Sequence, residues 1–242
     1  MFQLSSEMTS VATKGSWVTM MEKTSAGKSG DRRRQRCLLD ARGTERPLAA
    51  AAAGGAEALS RLSVDGRDRL LVTGLGPVGL AAGLMGKAMG ATTVVGTDPS
   101  PARRDLAVRL GAVDHAVDGS DDDELAGLLG GGAEASMDCS GSGAGQLTAL
   151  RHTRRWGRAA LVGEGARLTV DVSEVIIHKQ LTIHGSWVSS TWRTAELLER
   201  LVRWGLHPEV VVTDRLPLAG VAQAYTVADA GGAGKVGVVW ED

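Results

Sequence analysis

Aromatic side chains are scarce in this chain of 242 residues: one Phe, one Tyr and six Trp. A core must therefore be built mainly from Val, Leu, Ile and Ala. Cysteine is rarer still. Cys37 and Cys139 lie far apart and form no motif. That argues against a disulfide framework or a Cys-rich zinc site, and it fits a reducing cytoplasm. Long apolar runs are also missing, since none approaches the roughly 18 residues of a membrane span. The first residues carry no apolar stretch of the kind that marks a signal peptide. They are rich in Ser, Thr and Arg, but Glu7, Glu22 and Asp31 speak against a transit peptide. A net charge of −1 gives no footprint for nucleic acid or a membrane surface. What remains, 43% hydrophobic and 23% charged residues, is ordinary for a globular protein. The length allows one large or two small domains.

The chain divides into unlike regions. Residues 1–46 hold nine Lys/Arg against five Asp/Glu and show no sustained period of 2 or 3.6. The expectation is a mostly disordered or unrelated segment. Its basic run RRRQR at 32–36 is simplest as a solvated tail. Its GKS at 27–29 lacks the glycine and the leading strand of a phosphate loop, since Glu22 stands where that glycine belongs.

From Pro47 apolar strands alternate with helical stretches. PLAAAAAGGAEALSRL is a helix-prone lead-in, weakened by Gly54 and Gly55. Strands are expected at 70–73, 93–97, 114–117, 134–138, 158–162 and 181–186. Helices are expected at 77–89, 102–110, 122–129, 143–152 and 191–204, the second capped by Ser100 and opened by Pro101. Short apolar strands joined through helices imply a parallel sheet covered on both faces. Six of them fit an α/β, doubly wound Rossmann sheet over residues 47–207. Residues 208–242 form a C-terminal return segment with two further apolar strands.

Gly74, Gly76 and Gly79 follow the first strand of that sheet and open the next helix. This G-x-G-x-x-G spacing suits a tight turn, a close backbone approach to a pyrophosphate, and close helix–strand packing. The helix N-terminus offers unpaired N–H groups and the positive end of its dipole. Asp98 ends the second strand, 19 residues after Gly79, where a carboxylate would receive the adenosine ribose. A carboxylate there repels a 2′-phosphate and favours NAD over NADP, although Arg103 and Arg104 stand close by.

With these residues in place, the chain from about residue 56 resembles the C-terminal, NAD-binding part of the medium-chain, zinc-type alcohol dehydrogenases, near the threonine and sorbitol dehydrogenase-like members. The matching text is DRLLVTGLGPVGLAAGLMGKAMGA, GTDPSPARRDLAVRLGA, MDCSG, GRAALVGEG, LTIHGSW and LPLAGVAQAYTVADAGGAGKVGVV. The resemblance implies that Gly74, Gly76, Pro77, Val78 and Gly79 lie along the pyrophosphate. Asp98 takes the ribose with Arg103 beside it. Cys139, Ser140, Val162, Gly163, Glu164, Gly185, Ser186 and Trp187 line the nicotinamide side. Lys235 matches a basic position that reaches back to the phosphates. The resemblance also implies a dimer through the edge strand at 181–188.

In that family the alcohol and a catalytic zinc are held by a separate N-terminal domain. Its G-H-E motif and Cys-rich lobe do not occur in this text. All five histidines, His115, His152, His178, His184 and His207, fall in the cofactor half. His184 reads as a strand residue with a satisfied ring. The acidic run at 120–127 reads as a solvated helix start. No catalytic residue and no metal ligand is therefore assigned. Two functions stay open: an NAD-dependent oxidoreductase acting on an alcohol or polyol, in a form lacking the zinc domain, or a non-catalytic NAD(H)-binding module.

Overall fold

The computed structural model describes residues 38–40, 47–231 and 234–239. Its elements run β1 Leu38–Asp40, α1 Pro47–Leu62, β2 Arg69–Thr73, α2 Pro77–Ala88, β3 Thr93–Thr97, α3 Pro101–Arg109, β4 His115–Val117, α4 Asp122–Leu128, β5 Ala133–Asp138, α5 Gly143–Arg151, β6 Thr153–Leu161, β7 Thr182–Gly185, α6 Thr191–Trp204, β8 Val212–Pro217, α7 Val221–Asp229 and β9 Lys235–Val239. A six-stranded sheet has the order β4-β3-β2-β5-β6-β7 with every neighbouring pair parallel. The strand order reverses between β2 and β5, the topology of a doubly wound dinucleotide fold.

The apolar strands have partners on both faces. Leu70 and Val72 of β2 join Leu59 and Leu62 of α1, Leu80 and Met85 of α2, and Leu197 and Leu201 of α6 in one buried cluster. Leu71 looks the other way, into a cluster with Val95, Leu125 and Leu129. Each fully buried Leu contributes about 2–3 kcal/mol. The lead-in at 47–62 is an unbroken helix despite its glycine pair. Gly55 lies against α2, where an added Cβ would stand 3.3 Å from Met85 Cε. Close helix contact thus replaces the lost propensity.

Two expectations are corrected. The fifth strand of the large sheet begins at Thr153 rather than 158. Its pairing with β5 shifts register between Ala133 and Ala135, and Trp156 takes a left-handed φ of 62° inside the irregular stretch. A bulge of this kind interrupts the two-residue alternation, so the sequence shows only its regular half. Ser100 occupies the N-cap of α3 but its side chain accepts no bond there. Pro101 does open the helix.

The return segment forms a second sheet, β1-β9-β8, also parallel. The two apolar strands of that segment pair with one another, and β9 pairs with β1 on its other side. Leu38–Asp40 is the part of segment 1–46 that falls within the described residues, and it is this strand. RRRQR, GKS and Cys37 lie outside the described residues. Among the described residues no helix is long and apolar enough to cross a membrane.

An ion-pair node joins the N-terminal ends of β2 and β5. Arg69 Nη2 donates to Glu134 Oε1 at 2.7 Å, and Arg69 Nε and its backbone N donate to Oε2 at 3.0 and 2.8 Å. Burial works to raise the Glu134 carboxyl, but the Arg69 side-chain and backbone bonds outweigh it and lower the pKa from 4.5 to about 2. A depressed carboxylate adds stability above its unfolded pKa and loses it as the folded pKa is approached. The wild type is therefore expected to lose this contribution as the pH falls from about 4.5 to about 2. Glu134→Gln is expected to cost about 2 kcal/mol at neutral pH. Its deficit against wild type in thermal melts should shrink across that acid range; a deficit independent of pH would refute the assignment.

Candidate functional site

The ladder register sets the site. Val117, Thr97, Thr73, Asp138, Leu161 and Gly185 are mutual partners and form one row across the six strands. The residues that follow them at the carboxyl ends include Asp98, Gly74, Cys139, Val162 and Ser186. Five positions singled out from sequence thus share one edge, the edge where open α/β sheets bind ligands.

At the centre is the turn after β2. Gly74 has φ 87°, and a Cβ there would lie 2.6 Å from Ser140 Cα, so no other residue fits. A Cβ on Gly79 would meet the Gly74 carbonyl oxygen at 1.9 Å, which brings α2 hard against the turn. Gly76 differs. It is the N-cap of α2 with φ −74°, and a Cβ there would meet nothing within 4 Å. Open space therefore faces the first turn of α2. Pro77 has no N–H, and the amides of Val78 and Gly79 make no hydrogen bond among the described residues. These donors and the helix dipole converge on the opening.

On the β3 side Asp98 is 3% exposed. Its Oδ2 accepts from Leu75 N and its Oδ1 from Ser100 N, both at 2.9 Å. The carboxylate is thereby tied to the glycine turn, and each oxygen keeps a lone pair for a ribose hydroxyl. Arg103 Nη1 stands 3.6 Å from Asp98 Oδ2, while its Nε donates to Gly231 O at 2.7 Å. Arg104 Nη1 donates to Asp98 O at 2.6 Å and lies 3.5 Å from Asp118 Oδ2. Arg103 therefore fastens the turn after α7 to this side of the crevice. Lys235 opens β9 and is buried. Its neighbour Gly234 approaches Leu106 of α3, which puts the start of β9 on the α3 side of the molecule.

On the other side the loops after β5 and β6 pack together. A Cβ on Gly163 would lie 2.0 Å from Gly141 N. Val162 and Gly163 N both donate to Asp138 O at 3.0 Å. Cys139 is half-buried, and burial first, then the neighbouring Asp138 charge, pushes its thiol well above the ordinary range. Ser140, Glu164 and Gly185 are exposed at the edge, as is Trp187. Ser186 is buried, its N donates to Leu161 O, and its hydroxyl has no partner among the described residues.

One residue escaped the sequence reading. Asp138, the last residue of β5, is fully buried beneath this edge. Its Oδ1 accepts from Ser140 Oγ at 2.6 Å, Thr73 Oγ1 at 2.9 Å and Ser140 N at 3.1 Å, and its Oδ2 accepts from Gly141 N at 3.3 Å. Burial raises its pKa against these bonds. The available signal was an acid closing an apolar strand.

Elsewhere the histidines do not assemble a site. The His184 ring has no hydrogen bond among the described residues, which corrects the satisfied ring expected of it. It is half-buried in β7. Asp121 caps α4 by accepting from Glu124 N, and exposed Asp122 meets His152 Nε2 at 2.8 Å. Among the described residues no three His, Cys, Asp or Glu could hold a metal ion.

Comparison with known proteins agrees with this fold. Residues 77–203 match the family model described as zinc-binding dehydrogenase. A zinc-type alcohol dehydrogenase-like protein of Escherichia coli is 37% identical over 189 residues, covering 77% of this chain and 54% of that protein. L-Threonine 3-dehydrogenase of Cutibacterium acnes is 33% identical over 178 residues, covering 72% of this chain and 51% of the enzyme. The chain thus spans about half the length of the curated relatives it matches. Among solved structures, an alcohol dehydrogenase from Thermotoga maritima superposes with a TM-score of 0.69 at 22% identity, covering 80% of this chain and 55% of that one. Similar folds at 19% identity include an Escherichia coli alcohol dehydrogenase complexed with NADH (TM-score 0.70, 79% and 58% covered) and a Sinorhizobium meliloti zinc-binding dehydrogenase bound to NADP (TM-score 0.67, 79% and 58%). With its glycine turn, its strand-end carboxylate and its match across residues 77–203, this chain belongs to the zinc-binding dehydrogenase family.

Proposed function

We propose that these residues form the cofactor half of an NAD-dependent oxidoreductase that moves hydride between NAD and an alcohol or polyol. The observation that carries this reading is the open space before Gly76, faced by the unpaired amides of Val78 and Gly79 and flanked by Asp98 on the same strand-end row. A pyrophosphate suits those amides. The adenosine ribose suits Asp98, with Arg103 at its side. The nicotinamide falls to the loops of Cys139–Ser140, Val162–Glu164 and Gly185–Trp187. NAD is favoured over NADP because both nearby arginines are engaged. Arg103 holds Gly231 O and Arg104 holds Asp98 O, and a buried carboxylate faces any 2′-phosphate. Bound NAD supplies a hydride acceptor, and the protein's share is to hold its reacting carbon about 3–3.5 Å from the substrate carbon. Among the described residues no group of His, Cys, Asp or Glu could hold zinc. The same open crevice suits a second reading, a non-catalytic NAD(H)-binding module. Two separated cysteines are consistent with a cytoplasmic setting.

The edge strand β7 is the proposed dimer seam. Among the described residues it ends the sheet with one side unpaired, and Ile183, Trp187, Val188 and Trp192 stand exposed along and after it. An apolar, unpaired edge invites pairing with a second copy.

Both readings require NADH binding, measured by fluorescence titration. Gly76→Ala should fold as the wild type, because its Cβ enters open space, yet weaken NADH at least tenfold by occupying the pyrophosphate's place. Gly79→Ala should instead lower the melting temperature, an overpacking cost of about 1–3 kcal/mol. Asp98→Ala should weaken NAD; unchanged affinity would remove the ribose assignment. Zinc-dependent turnover of an alcohol or polyol by this chain would exclude the pure binding module. For the dimer, Ile183→Lys should shift sedimentation from two copies towards one.

A further inference from the structure

The buried carboxylate at the reversal of strand order has no role in the cofactor contacts assigned above. Asp138 lies at the junction of three strand ends. It receives the Thr73 hydroxyl from β2, the Ser140 hydroxyl and amide from its own loop, and the Gly141 amide. The β6 loop closes on it so tightly that a Cβ on Gly163 would stand 2.8 Å from its Oδ2. Burial raises the pKa of this carboxyl, and the four donors aimed at it work the other way, towards the anion. Among the described residues no Lys, Arg or His forms an ion pair with it. The anion is held by dipoles and its charge is not cancelled. Bonds to neutral donors leave its field acting on whatever occupies the crevice above.

We infer that Asp138 is a positioning residue whose negative charge favours the oxidised over the reduced cofactor. This rests on the dinucleotide reading above. A dinucleotide crosses the sheet at the reversal of strand order, with one nucleotide on each side. Its diphosphate carries the same charge in both redox states and is repelled equally in both. The nicotinamide ring does not: it is a cation in NAD+ and neutral in NADH. A fixed anion under the β5 and β6 loops therefore stabilises the oxidised ring selectively. Burial under those loops limits screening by water and salt. The group also positions, because Ser140 and Gly141 are held to it.

The test compares dissociation constants for NAD+ and NADH on the same folded chain, measured by calorimetry. Asp138→Asn keeps the shape and removes the charge. It is expected to raise the ratio of the NAD+ to the NADH dissociation constant about tenfold, the scale of one charge acting across about 12 Å at an effective dielectric constant of about 20. Asp138→Ser is a second neutral variant if the first does not fold. Thr73→Val removes one donor and keeps the charge, so it should leave the ratio within about twofold whatever it does to either affinity. A neutral variant in which both affinities fall together at a constant ratio would leave only a structural role and overturn the inference. So would a rise of the ratio in Thr73→Val. Failure of the wild type to bind either form would instead remove the dinucleotide reading itself.

Discussion

Everything at the site depends on the lateral pairing of β2 with β5. Thr73 and Asp138 are partners in that ladder, and the Thr73 hydroxyl donates to the Asp138 carboxylate at 2.9 Å. Because strand order reverses at this pair, the chain leaves β2 and β5 in opposite directions and a crevice opens between their loops. Gly74 begins one loop and Cys139 the other. The same pairing brings Ser140 so near Gly74 that the turn admits no side chain. A shift of one residue in this register would part Thr73 from Asp138 and turn every core side chain of β2 to the wrong face.

The central strands that build this crevice were legible because each is a short apolar run covered by helices on both faces. Leu70–Thr73, Thr93–Thr97 and the segment near 134 have no exposed face that would blur their limits. The glycine turn was legible for another reason: its three spacings are set by local sterics, and Gly74 and Gly79 meet each other within six residues. Interactions between distant segments were not legible. The early start of β6 depends on a bulge around Trp156 that no alternation reveals. Gly55 is tolerated in α1 only because α2 lies against it. Asp138 looks like a strand-end acid until Thr73, 65 residues away, is seen to donate to it.

Asp98 shows how a residue can be found correctly and still be understood only in part. Its spacing from Gly79 follows from the length of a helix and a strand. Its engagement by Leu75 N and Ser100 N does not, and those bonds make it a brace for the turn as well as a candidate sugar ligand. Arg103 and Arg104 likewise stand close enough to suggest a phosphate site. Each already has a backbone carbonyl to hold.

The small sheet carries its own consequence. Its central strand is β9, the latest in the chain of all described strands, and both β1 and β8 hydrogen-bond to it rather than to each other. During synthesis on the ribosome neither outer strand has a ladder to join until β9 has emerged. The large sheet is complete once β7 is made, some fifty residues earlier. Nascent chain can thus collapse around the crevice first, while closure of the long loop from β1 to β9 waits and bears the slower, entropy-limited part of folding.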